Sequence, residues 1–189
     1  MSRRTLVLLV TIPALLCAAI GLTHPPSLNA ASAEHWRTMH LVLIPIFPLI
    51  GLAPWLIARR AGVWFGRGAA GLGYGFAVFY TSLDLLAGVA GGALVASGHP
   101  DATGQVFAIA RVLGTVGVVA LVLACVLAGF AAFRVAGLAA LPGALLATVG
   151  AVLVQPGHIY LGLGTVAMLL LAGGFAVMAW AVTKPAVAA

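Results

Sequence analysis

Apolar runs of roughly twenty residues follow one another along this chain, and none of them alternates polar with apolar residues. A run of that length crosses about 30 Å of hydrocarbon as a helix. Within lipid every backbone N–H and C=O must find its partner inside the protein, so runs without strand alternation specify a helical bundle and not a barrel. Composition agrees. Of 189 residues, 63% are hydrophobic and 6% charged, with a mean hydropathy of +1.21. An ordinary soluble domain carries about 25% charged residues. The reading is all-α: a polytopic integral membrane bundle of six transmembrane helices in a single membrane domain, residues 1–189. The spans fall at about 5–22, 38–57, 71–97, 106–133, 137–155 and 158–182.

The basic residues set the orientation. With a cytoplasmic N-terminus, Arg3, Arg4, Arg59, Arg60, Arg67, Arg134 and Lys184 lie inside, and only Arg37 and Arg111 lie toward the outside. That asymmetry predicts a cell-membrane protein with both termini cytoplasmic. Trp55, Trp64 and Trp180 then belong to the inner interface, Trp36 and Tyr160 to the outer one. The net charge of +6 sits mostly in short connections. It addresses anionic headgroups of the lipid bilayer, and no basic helix with interleaved aromatics suggests nucleic acid. A secretory-signal reading, with cleavage near Ala31-Ser32-Ala33, fails because the apolar stretch is too long and too far from that site.

Pro45, Pro48 and Pro54 predict a kinked second span. Among 24 glycines, Gly88 and Gly92 form a small-xxx-small pair. Gly73, Gly114, Gly117, Gly162, Gly173 and Gly174 are further candidates for close helix approach. The stretch Gly62–Gly68 reads as a loop but lacks the Gly-Lys-Ser/Thr of a phosphate-binding loop. Cys17 and Cys125 lie roughly 20 Å apart in depth, too far for a disulfide.

All five histidines fall on the outer side of this threading: His24 after the first span, His35 and His40 at the entry to the second, His99 in the third-to-fourth loop, and His158 opening the sixth. Imidazole is the commonest metal ligand. The outward helix N-termini would keep His40 and His158 neutral, as metal binding requires. Their matched depth suits either a haem b held by two histidines or a copper ion. If the bundle closes into a ring, His24 joins them, with His35 and His99 secondary. Met39, Glu34 and Asp101 are available to complete a copper or zinc site. One-sidedness also has a bland source, since the inner side selects Lys and Arg.

Asp84 stands in the middle of the third span, where an ionisable group costs at least about 2.5 kcal/mol and should face inward. Tyr80, Thr81, Asp84, Gly88 and Gly91 share one helical face. Arg111 lies on the neighbouring fourth span, roughly 10 Å shallower than Asp84, a gap that the long Arg side chain partly closes, with Tyr80 or a water between them. An ion pair, a protonated Asp84 or a proton-relay carboxylate are the readings open. These residues predict three functional classes. The first is a membrane protein that binds haem or metal through its outer histidines. The second is a small-solute or proton-coupled transporter using Asp84 and Arg111. The third is a non-catalytic subunit or scaffold packed against another membrane protein or a second copy. With no Gly-x-Ser-x-Gly, no His-Glu-x-x-His and only three acids, hydrolase chemistry has no support.

Overall fold

The computed structural model describes residues 1–183; Lys184, counted above among the inner charges, lies outside them. The described chain is 85% helical and contains no strand. Nine α-helices follow in order: α1 Arg3–Gly21, α2 Ala33–Leu43, α3 Phe47–Ile50, α4 Leu52–Ala58, α5 Val63–Leu83, α6 Gly91–Ala96, α7 Thr103–Ala136, α8 Leu141–Gly157 and α9 Leu163–Ala181. Between α5 and α6 the helix widens into π-helical turns over Asp84–Ala90. Four helical stretches are long and apolar enough to cross a membrane, or five if the bent pair of 33–43 and 47–61 counts as one.

The proline prediction is realised as a break. The second span bends by 40° between Leu43 and Phe47. Pro45 has no N–H to continue the ladder, and its ring crowds the preceding turn. This span also starts earlier than expected, at Ala33. The stretch after Gly62 is not a loop. Gly62 adopts φ +130°, which only glycine takes without strain, and helix α5 begins at the next residue. His158 does not open the last helix. It caps the C-terminus of α8, and α9 starts at Leu163. The N-terminal dipole invoked for it is therefore absent, and the one invoked for His40 is absent as well, because α2 begins at Ala33 and places His40 in its last turn.

The helices close into a ring. α1 packs on α9, α9 on α8, α8 on α7, α7 on α5, and α5 on α3 and α4, which return to α1. The 58-residue stretch 100–157 is not one rod. It folds back at Gly137 (φ +58°), so that Gly129 meets Ala144 and Gln155 reaches Thr115. Arg3 donates to the carbonyl of Thr183 at 3.0 Å, and Arg60 to that of Met1 at 3.4 Å. The two ends of the described chain thus share one end of the bundle with the 59–62 turn.

Buried and exposed positions are compatible with a membrane protein. Much of the interior is alanine and glycine, while Leu8, Ile12, Leu16, Val112, Val119, Leu123 and Phe130 point outward. Water-soluble monomers rarely expose contiguous apolar patches beyond a few hundred Å². Arginines lie over aromatic rings at the end that carries the N-terminus: Arg3 over Trp180, Arg59 over Trp55, Arg67 over Trp64. Trp36 departs from the interfacial expectation. It is 3% exposed, and its indole N–H donates to Ala87 O at 3.0 Å, within the π-helical turns. A backbone carbonyl in a widened turn is thereby satisfied away from water.

The Gly88/Gly92 pair receives α2. A methyl group on Gly88 would overlap the His40 ring, and one on Gly92 would press on Arg37 and on the Ala33 carbonyl. Gly162 and Gly173, by contrast, meet nothing within 4 Å and are not close-approach points. Gly88→Ala should therefore destabilise the protein by about 1–3 kcal/mol through overpacking. Gly173→Ala should be neutral or slightly stabilising, as in other helices. Unfolding of both variants in detergent measures the difference, and equal stability would remove the packing role given to Gly88.

Candidate metal centre

Three of the five histidines converge. His24, His40 and His158 each offer a ring nitrogen, and these atoms all lie within 4.8 Å of one another. They come from three elements: the turn after α1, the last turn of α2, and the cap between α8 and α9. Ring centroids are 5.4 Å apart for His24 and His40, and 5.8 Å for each of the other two pairs.

Each ring has one nitrogen occupied. His24 Nδ1 sits 2.7 Å from its neighbour's carbonyl, Pro25 O. His40 Nδ1 sits 2.7 Å from Trp36 O, one turn back. A carbonyl only accepts, so these nitrogens carry the proton, and in a neutral ring Nε2 is left with its lone pair. His158 Nδ1 is 2.6 Å from the hydroxyl of Tyr80. Nε2 of His24 and of His158 is buried with no partner. Metal-binding histidines are oriented in this way, with the second nitrogen tied to a carbonyl or another polar group. Burial also pushes the imidazoles of His24 and His158 below the ordinary histidine value, which keeps them neutral.

The surroundings hold the rings in place. Trp36 stacks on His40 at 5.2 Å and meets His24 edge-on at 4.7 Å; Tyr160 lies 4.1 Å from His24, and Phe47 stacks on His158 at 5.8 Å. Tyr160, expected at the outer interface, is half-buried in this cluster. His158 has φ +44°, a backbone region unusual for any residue but glycine. Its N–H reaches Val154 O at 2.8 Å, and the flanking chain is clamped because Gly21 abuts Ile159 and Gly157 abuts Gly164. Such strain persists only where the surroundings over-determine it, often at functional sites.

Asp84 completes the polar interior. It is wholly buried, both carboxylate oxygens lack a hydrogen-bond partner, and Oδ1 lies 3.7 Å from His158 Nε2. The expected Asp84–Arg111 ion pair does not form, because His158 stands beside the carboxylate. Arg111 is exposed instead and lines a cavity of about 170 Å³ together with His40, Tyr80 and His158. The other candidates lie apart from the triad. His35 is exposed, with Nε2 2.9 Å from Thr23 O; His99 is exposed, 3.3 Å from Ser97 Oγ. Glu34 pairs with Arg37 at 2.8 Å, Asp101 is exposed, and Met39 packs into the apolar core.

This set suits an ion better than a macrocycle. A metal held about 2.0–2.1 Å from each imidazole nitrogen needs only a small inward closure of the three rings. A haem between His40 and His158 needs a slab of free space, but His24 sits within 5.8 Å of both. The adjoining cavity, about 170 Å³, is below the roughly 300 Å³ at which cofactor sites begin. No family model, curated protein or solved structure matches this chain.

Sequence pattern located the three histidines but missed the rings that enclose them. Trp36 and His40 are four residues apart, and Tyr160 follows His158 by two. These spacings were the available signal.

The neutral imidazoles carry a consequence for stability. A ring held below its ordinary value in the fold accepts its proton more readily when unfolded. Its contribution is complete above about pH 6.5 and is lost as pH falls below that value. Metal-free protein should melt at a lower temperature at pH 5.5 than at pH 7.5. The double variant His24→Gln, His158→Gln should flatten that difference. Identical melting of the native protein at the two pH values would contradict buried neutral rings.

Proposed function

We propose that this protein is a six-span membrane protein that holds a divalent transition-metal ion at its extracytoplasmic end. The observation carrying this reading is the convergence of three imidazoles whose other nitrogens are already satisfied. His24, His40 and His158 are the ligands. Tyr80 orients His158 from behind, and Asp84 supplies the nearest carboxyl group. Neutral imidazole suits zinc, copper, iron and nickel, and among divalent ions of this row copper binds most tightly. Three protein ligands leave a coordination position open, as in metal sites that act on a bound molecule.

The fold-back at Gly137 and the shared end of Arg3 and Thr183 support six crossings, since two ends on one side go with an even number. The Arg-rich end, with Arg3, Arg59, Arg60 and Arg67, is cytoplasmic by the positive-inside rule. The histidines then face the outside of the cell membrane. The transporter reading loses its Asp84–Arg111 pair, and no observation favours it over the metal site.

Detergent-purified protein should take up one equivalent of Cu2+, with nitrogen hyperfine splitting from imidazoles in its electron paramagnetic resonance spectrum. His40→Ala and His158→Gly should weaken binding by at least about 100-fold, beyond the usual cost of losing only a supporting hydrogen bond. The glycine variant keeps the backbone at φ +44° unstrained, so misfolding does not confuse the result. His35→Ala and His99→Ala should bind normally. A protein that takes up neither Cu2+ nor Zn2+, or that loses nothing with His40, sinks the proposal.

Topology has its own measurement. Cys17 and Cys125 are fully buried, so the background for thiol labelling is low. A membrane-impermeant maleimide should label Ser97→Cys in intact cells, and Val63→Cys only after lysis. The reverse pattern would invert the orientation.

A further inference from the structure

The cavity beside the histidines is built for more than a water molecule. Its volume is about 170 Å³, close to the roughly 150 Å³ that holds one benzene-sized molecule. His40 and His158 form part of its wall, and Arg111 is the only permanently charged residue there; no acid lines it. The Arg111 side chain has no hydrogen bond or ion pair among the described residues, although it belongs to a membrane helix. A cation so placed costs free energy unless an anion joins it. Gln155 offers a neutral polar edge nearby, fixed by its bond to Thr115 Oγ1 at 2.9 Å. The remaining wall is apolar: Trp36, Leu83, Phe107 and Val154.

A route from outside reaches this wall. A larger hollow of about 830 Å³ opens between the 28–30 and 98–104 segments, and it shares Phe107 and Arg111 with the inner cavity. The pair stands where one space passes into the other. An anion entering from the outer loops would meet Arg111 first and the open position of the metal next.

We infer that this cavity binds a small carboxylate with a short apolar tail, its head group between Arg111 and the metal ion. A planar guanidinium grips a carboxylate through two parallel hydrogen bonds. The metal takes a carboxylate oxygen at its free position. Phe107, Leu83 and Trp36 cover the tail, which distinguishes an organic acid from bicarbonate. The inference rests on the metal site proposed above.

The test uses the Cu2+-loaded full chain in detergent, titrated with butyrate, benzoate and bicarbonate and followed by the copper absorption band and its resonance spectrum. Butyrate or benzoate should shift the spectrum saturably and bind at least tenfold more tightly than bicarbonate. Arg111→Gln should leave copper stoichiometry and the unliganded spectrum unchanged but weaken butyrate at least tenfold. Copper binding with no response to butyrate up to 100 mM overturns this inference alone. Bicarbonate binding as tightly as butyrate overturns the apolar tail, and an unaffected Arg111→Gln overturns the head-group role. Failure to load copper or zinc overturns the metal site, and this inference with it.

Discussion

The ring of His40 occupies the space that a side chain at residue 88 would fill. Much of the outer half of the bundle depends on that contact. Because Gly88 has no Cβ, α2 lies directly against the π-helical turns of the third span. The same approach brings Trp36 to the Ala87 carbonyl and Asp84 into the interior beside His158. A π-turn takes an extra residue into the turn and so shifts the register of the side chains that follow, and such turns recur at functional sites. Here close packing and an irregular backbone are one device. The widened turn leaves a carbonyl to be satisfied, α2 supplies the indole N–H that satisfies it, and the missing side chain lets α2 come near enough.

The bundle also explains how three imidazoles are tolerated in so apolar a chain. A buried polar atom without a partner costs free energy, while a satisfied one costs little. Each ring spends Nδ1 on a neighbour that is itself local or fixed: the next residue's carbonyl, a carbonyl one turn back, and a tyrosine held in the core. Each keeps its remaining nitrogen for the shared centre. Tyr80 and Phe47 carry this order inward, since both are fully buried and both contact His158. The opposite end of the bundle, which carries the N-terminus, is built differently. There, arginines lie over tryptophans, an arrangement of cation and amphipathic ring that would suit a headgroup region.

Much of this was legible in the sequence because the bilayer imposes coarse rules. Length of apolar run, placement of arginine and the outer clustering of histidine gave the helical class and singled out His24, His40 and His158. Their meeting followed once the ring of helices closed. Other features were invisible for physical reasons. The π-helical turns leave no residue signature in Asp84–Ala90, and chain order makes α7 the neighbour of the third span, so Arg111 was the partner considered for Asp84 and His158 was not. The cap at His158 looked like a helix start because Pro156-Gly157 normally marks a boundary. The helix instead runs through Pro156 and ends on the histidine itself. Trp36 and Tyr160 looked interfacial because amphipathic rings usually are, but ring packing around an imidazole satisfies them equally well.

Electrostatics accounts for where such a centre sits along the membrane normal. Three neutral imidazoles add no charge, so a divalent ion would bring its full charge into an apolar setting, and desolvating it deep in the bundle would be prohibitive. Near the helix ends the cost is lower, and one carboxylate within reach lowers it further. Asp84 is the only acid of the three in this chain that is buried; Glu34 and Asp101 remain exposed. Even if ionised, that single carboxyl group could not offset a divalent ion at the proposed site, and Arg111 lines the adjoining cavity. The imbalance favours an additional anion. In the proposed site the interior would supply ligand geometry from its own histidines, while completing the charge would fall to the anion inferred above.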